Sequence, residues 1–140
     1  MSTIANDLIP ARTTAVVAAI GFGAIALFQA ALALGAPLGR ASWGCGHAGV
    51  LPVGLRIASA VAIVIWAFAM VLVLERAGFS LLSLRAGVVR WGTWVLVGLL
   101  VLGALMNLAS PSPWERFLWG PVGLVLFGLT LILARTDLTS

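Results

Sequence analysis

The sequence predicts an all-α, polytopic membrane protein: an up-down bundle of four transmembrane helices with a long Gly/Pro-rich first extracytoplasmic loop. Three observations predict it. Hydrophobic residues make up 62% of the 140 positions, and mean hydropathy is +1.17. Charge is confined to 8 basic and 4 acidic residues, far below the roughly 25% of a soluble domain. Four stretches, 13–34, 55–74, 92–109 and 113–134, each approach the ~20 mainly apolar residues that a bilayer crossing needs. This composition excludes a soluble monomer, which could not cover such a surface with polar groups. It also excludes disorder, which requires little apolar surface and much charge. No repeat or linker divides the chain, so residues 1–140 read as one membrane domain.

The first span ends in Ala31-Leu32-Ala33, a small-x-small pattern that a signal peptidase reads. Its apolar run of about 20 residues exceeds the usual 7–15 of a signal sequence, so an uncleaved helix is expected. Ala15, Ala19 and Gly23 form a small-residue ladder along it, and Ala58 and Ala62 do the same in the second span. Such ladders let helix backbones approach closely, either inside the bundle or at a homo-oligomer seam. The first connection, 35–54, is long and rich in Gly and Pro. The second, 75–91, contains 79–85, which reads as a short interfacial helix or as an extension of the third span. The third, 110–112, is so short that the helices it joins must be antiparallel neighbours. Ser112, Pro113 and Glu115 form a capping box with Pro at the first helical position, and Pro121 predicts a kink.

Four spans place both termini on one side. Arg12, Arg76, Arg85, Arg90 and Arg135 fall there, and Arg40, Arg56 and Arg116 fall opposite. The basic excess predicts cytoplasmic termini in a bacterial plasma membrane. All basic residues are Arg, scattered singly at helix ends, so no nucleic-acid partner is expected.

The polar residues are asymmetric. Gln29, Ser59 and Asn107 all map to the outer half of the membrane, whereas Thr93 and Thr130 map to the inner side, where a Thr satisfies itself against its own helix. The outer face also receives Arg40, Trp43, Cys45, His47 and Arg56 of the first loop, and Ser110, Ser112, Glu115 and Arg116. An outward-facing polar pocket is therefore expected, lined by Gln29, Arg40, Trp43, His47, Arg56, Ser59, Asn107, Ser110, Glu115 and Arg116. The plainer alternative makes Gln29 and Asn107 interhelical hydrogen-bond glue, Arg56 a snorkelling cation, Glu115 a cap and Trp66 packing.

Catalysis is left open. His47 and Glu115 are the candidate acid–base pair. Cys45 and His47 supply only half of a metal site, so no metal and no cofactor are expected. Partners are membrane lipids, a small apolar ligand, a second copy of the chain or a larger membrane complex. Binding of a lipid, an apolar ligand or a partner protein through the outer pocket is the leading reading. A small membrane enzyme or an oligomeric small-molecule transporter is the alternative.

Two blocks carry a family resemblance. One runs from Gly35 through Pro37, Gly39, Trp43-Gly44-Cys45-Gly46-His47 and Pro52 to Arg56. The other runs from Asn107 through Ser110-Pro111-Ser112-Pro113-Trp114-Glu115-Arg116 to Trp119 and Pro121. Together they resemble small four-helix integral membrane proteins of actinobacteria and related bacteria. That resemblance implies the architecture and supplies no chemistry. The loop there reads Trp-Gly-Gly-x-His, so Cys45 is a departure. Proton-coupled small multidrug transporters also have four short helices, but carry a membrane-embedded Glu in the first; Gln29 cannot titrate.

Overall fold

The computed structural model describes residues 2–136, with side chains described from residue 10. Among the described residues the secondary structure is entirely helical. The main helices are α1 (Ser2–Ala33), α2 (Val53–Arg76), α3 (Ala86–Ala109) and α4 (Gly120–Arg135). A π-helical turn, Glu115–Trp119, leads into α4. Among the described residues four segments are long and apolar enough to cross a membrane: Pro10–Ala33, Val53–Arg76, Ala86–Ala109 and Glu115–Arg135.

The third helix starts at Ala86, six residues before the apolar stretch 92–109. Arg90 and Trp91 are exposed, so the helix continues past them at no burial cost. The segment 79–85 is not an interfacial helix. Glu75 accepts the backbone N–H groups of Leu82, Ser83 and Leu84, at 2.6, 3.2 and 3.1 Å. Ser80 and Ser83 both adopt positive φ, and a helix has no room for either feature.

α1 packs along α2, and α3 along α4; α1 also meets α4, and α2 meets α3. Small residues allow the closest approaches. Ala15, Ala18 and Ala19 are buried on α1, and a Cβ on Gly123 would sit 3.2 Å from Ala104 Cβ. The solid core joins the first half of α1 to the last turns of α2 and α4, around Phe22, Val73, Leu126 and Leu133. It therefore fills one end of the bundle. The other end carries residues 34–52 and 110–114 and is called here the loop end.

Each helix C-terminus receives a guanidinium from elsewhere in the chain. Arg56 Nε donates to the Ala33 carbonyl at the end of α1 (3.0 Å). Arg12 donates to the Gly78 carbonyl just after α2 (3.2 Å). Arg116 donates to the Ser110 carbonyl after α3 (2.8 Å). Arg76, buried, donates to the Leu133 and Ala134 carbonyls of α4 at 3.0 and 3.2 Å, and to the Thr136 carbonyl. The last carbonyls of a helix lack internal partners and form the negative end of its dipole. Arg56 is thus a helix cap rather than only a snorkelling cation.

Candidate functional site

The loop end is assembled from a glycine-rich loop laid across the helix ends. Gly39 donates to the Gly49 carbonyl (2.8 Å), so the loop crosses itself. A Cβ on Gly39 would press on the His47 carbonyl oxygen and come within 2.7 Å of Gly49 O, which leaves room only for glycine. Beyond the crossing, Trp43, Gly44 and Cys45 take φ of 52, 77 and 64°. Three successive left-handed residues are costly, and they turn the Gly44 N–H toward the start of the fourth span.

That N–H is met by Glu115, whose two carboxylate oxygens lie 3.0 and 3.2 Å from Gly44 N. Ser110 Oγ also donates to the carboxylate. Ser112 N–H donates to Ser110 Oγ (3.1 Å), and Glu115 N–H donates to Ser112 Oγ (3.4 Å). Half of the expected capping box is therefore present. Its reciprocal arm is replaced, because Glu115 turns to the loop instead of to Ser112. The loop has three more ties. Ser112 Oγ donates to Arg40 O (2.8 Å), Trp119 Nε1 to Ala41 O (3.1 Å) and Trp43 Nε1 to Ser59 Oγ (3.2 Å).

The π turn makes this geometry. Pro121 has no N–H, and its ring crowds the preceding turn. The chain widens there, with Gly120 N–H reaching the Glu115 carbonyl. Glu115 and Trp119 remain on one side, and both reach the loop. π turns within α-helices are rare and concentrate at functional sites.

Beneath the loop lies a cavity of ≈ 580 Å³ between the helices. Ile25, Phe28, Leu55, Trp66, Leu99 and Leu100 give it a mainly apolar wall. Trp66 is held by Phe22, with ring centroids 5.8 Å apart and planes 13° from parallel. Gln29, Ser42, Asn107, Ser110 and Glu115 supply the polar end. Among the described residues Gln29 Oε1 and Ser42 Oγ are buried without a partner. Ser42 as a residue is only 6% exposed.

A second cavity, ≈ 560 Å³, lies beside the first and shares Phe28, Ala41 and Trp119 with it. The Phe28 and Trp119 rings, 4.7 Å apart at their centroids, form the partition. Arg40, Leu38 and Trp114 line the second cavity and are exposed.

Of the residues singled out from the sequence, Gln29, Trp43, Asn107, Ser110 and Glu115 line one cavity. Ser59 is buried and supports Trp43. Arg40 belongs to the neighbouring cavity, and Arg56 and Arg116 are engaged by helix-end carbonyls. His47 is exposed, and among the described residues no hydrogen bond joins it to Glu115. Ser42, Phe28 and Trp119 were not anticipated as lining. A serine in a Gly-rich loop carries no signal of burial, and Trp119 reads from sequence as an interfacial belt residue.

Comparison of the chain with family models, curated proteins and solved structures gives no match.

Proposed function

We propose that this chain is a small bacterial plasma-membrane protein that binds a small amphipathic molecule in the cavity at its loop end. The reading makes the chain an up-down four-helix bundle with cytoplasmic termini and an outward-facing cavity. The excess of Arg on the side of the termini supports that orientation. Arg56 against the end of α1 and Arg12 against the turn after α2 support antiparallel neighbours.

One observation carries the binding reading: a ≈ 580 Å³ cavity with a mainly apolar wall has Gln29, Ser42, Asn107, Ser110 and Glu115 at one end. Small-molecule sites occupy about 300–1,000 Å³ and combine apolar walls with a few polar groups. The polar end orients a ligand, and the apolar wall adds affinity for a hydrocarbon body.

Native mass spectrometry of protein extracted from its own membrane in a mild detergent tests the proposal. The expected result is a stoichiometric small-molecule adduct that Ser42→Ala and Gln29→Leu reduce. A bare protein, with wild type and variants giving identical spectra, overturns it.

A further inference from the structure

We infer that the second cavity is a lipid site, which takes one acyl chain of an anionic phospholipid with the phosphate on Arg40. The site stands whether or not the first cavity is occupied. Phe28, Pro37, Leu38, Trp114, Leu118 and Trp119 give it an apolar, largely aromatic wall, and Arg40 is the charged residue of its described lining.

The depth of the cavity points to a lipid. Phe28, Leu118 and Trp119 belong to the spanning segments Pro10–Ala33 and Glu115–Arg135, whereas Leu38, Arg40 and Trp114 lie beyond the ends of those segments. Phe28 is five residues inside Ala33, about 7 Å along the helix axis at ~1.5 Å per residue. One part of the cavity therefore lies at the level of acyl chains. The other, which holds the cation, lies at the level of headgroups, where Trp rings settle. A phospholipid has the same layout, a phosphate directly above hydrocarbon. A soluble anion gains nothing from the apolar part.

The charge points to an anionic head. Ser112 Oγ donates to the Arg40 carbonyl (2.8 Å), which anchors the backbone. Among the described residues the exposed Arg40 guanidinium has no partner. Its parallel N–H groups match the oxygens of a phosphate. Among the described residues no acid lines this cavity. Arg56 and Arg116 keep their charges while they bond to carbonyls. Three cations thus stand against the Glu115 carboxylate at the loop end, and the field there favours an anion. Acyl chains leave no water behind when they pass from bilayer to groove, so lipids with the same tails are distinguished by their heads. Phosphatidylglycerol brings a net negative head. Phosphatidylcholine adds an ammonium that meets no acid in the cavity lining.

Full-length protein in nanodiscs is irradiated with phosphatidylglycerol or phosphatidylcholine carrying the same diazirine on one acyl chain, and labelled residues are mapped by mass spectrometry. One basic side chain beside an anionic head changes affinity about fivefold. The expected result is labelling of Leu38, Trp114 or Leu118 about fivefold stronger with phosphatidylglycerol than with phosphatidylcholine. Arg40→Gln lowers it to the phosphatidylcholine level. Arg85→Gln makes the same charge change at the other end of the bundle and leaves it unchanged. Ala48→Trp fills the groove from an exposed lining position and abolishes it. Equal labelling by the two lipids, or a preference that survives Arg40→Gln, overturns the phosphate contact. An equal loss in Arg85→Gln assigns the preference to overall charge and overturns the site. Labelling that survives Ala48→Trp overturns the placement of the chain in the cavity. Inorganic phosphate that competes as well as unlabelled phosphatidylglycerol overturns the lipid as the source of the anion, and absence of labelling at this end overturns the inference as a whole.

Discussion

Glu115 accepts the Gly44 amide N–H on both carboxylate oxygens, at 3.0 and 3.2 Å, across 71 residues of chain. This contact joins the left-handed turn of the first loop to the π turn that opens the fourth span. It also makes the cavity's only acidic lining residue among the described residues a fastener for its cover. Order in the loop and the shape of the cavity therefore depend in part on this carboxylate, beside the ties from Ser112, Trp119 and Ser59.

Replacing that carboxylate releases the loop. Glu115→Ala leaves the Gly44 N–H and the Ser110 hydroxyl without their acceptor, with an expected loss of about 2–4 kcal/mol. Glu115→Gln keeps an acceptor and loses less. The measurement is limited trypsin digestion with mass mapping. Cleavage after the exposed Arg40 rises several-fold in Glu115→Ala and only slightly in Glu115→Gln. Equal cleavage in all three proteins refutes the fastening role.

The glycines of the loop are not equivalent. At Gly39 an added Cβ runs into two backbone carbonyls of the same loop, which cannot move without opening the crossing. Gly39→Ala should cost about 1–3 kcal/mol. Gly46 has φ −67° and open space around its missing Cβ, so Gly46→Ala should fall within about 0.5 kcal/mol of wild type. Thermal unfolding in one detergent, followed by tryptophan emission, separates the two.

The arginines invite a graded comparison. Arg76 is 7% exposed and binds three carbonyls at the end of α4. Arg76→Met should lose about 3 kcal/mol, as expected when a buried, multiply bonded charge is removed and its acceptors are stranded. Arg56→Met removes one bond from a half-buried group and should lose about 1 kcal/mol. Unfolding titrations in mixed micelles with rising dodecyl sulfate measure both. Equal losses would contradict the burial argument.

These arginines also show where sequence reasoning reached its limit. The four spans were legible because a bilayer imposes a length of apolar chain, and nothing else in the protein mimics it. The third helix extends beyond the apolar stretch 92–109 to Ala86, because an exposed cation such as Arg90 near a helix end does not end the helix. From sequence Arg56 reads as pocket lining or a snorkelling cation, and Arg76 only as a basic residue on the side of the termini. Their carbonyl partners lie 23 and 57 residues away, a pairing that no local pattern encodes. The site was partly legible. Gln29, Asn107 and Glu115 stand out as polar residues in an apolar chain, and the alternation of span direction brings them to one end. Ser42 does not stand out, because its burial comes from loop residues tied to Ser112, Trp119, Ser59 and Glu115.

Two unpartnered buried oxygens separate structural from binding roles. Among the described residues Thr130 Oγ1 has no partner, and it lies away from the cavity, contrary to the expectation that it bonds within its own helix. Thr93 does so, donating to Val89 O at 2.6 Å. Thr130→Val keeps the shape and removes the unpaired hydroxyl, so it should stabilise the protein by about 1 kcal/mol and leave any bound molecule in place. Gln29 lines the cavity, and among the described residues its Oε1 has no partner. Gln29→Leu should likewise stabilise the ligand-free protein by about 1 kcal/mol, but reduce the adduct at least several-fold. Interhelical glue predicts the reverse, a loss of stability with the adduct unchanged. Unfolding of delipidated protein and adduct counting by native mass spectrometry, run on both variants, decide between a glutamine kept to hold helices and one kept to hold a ligand.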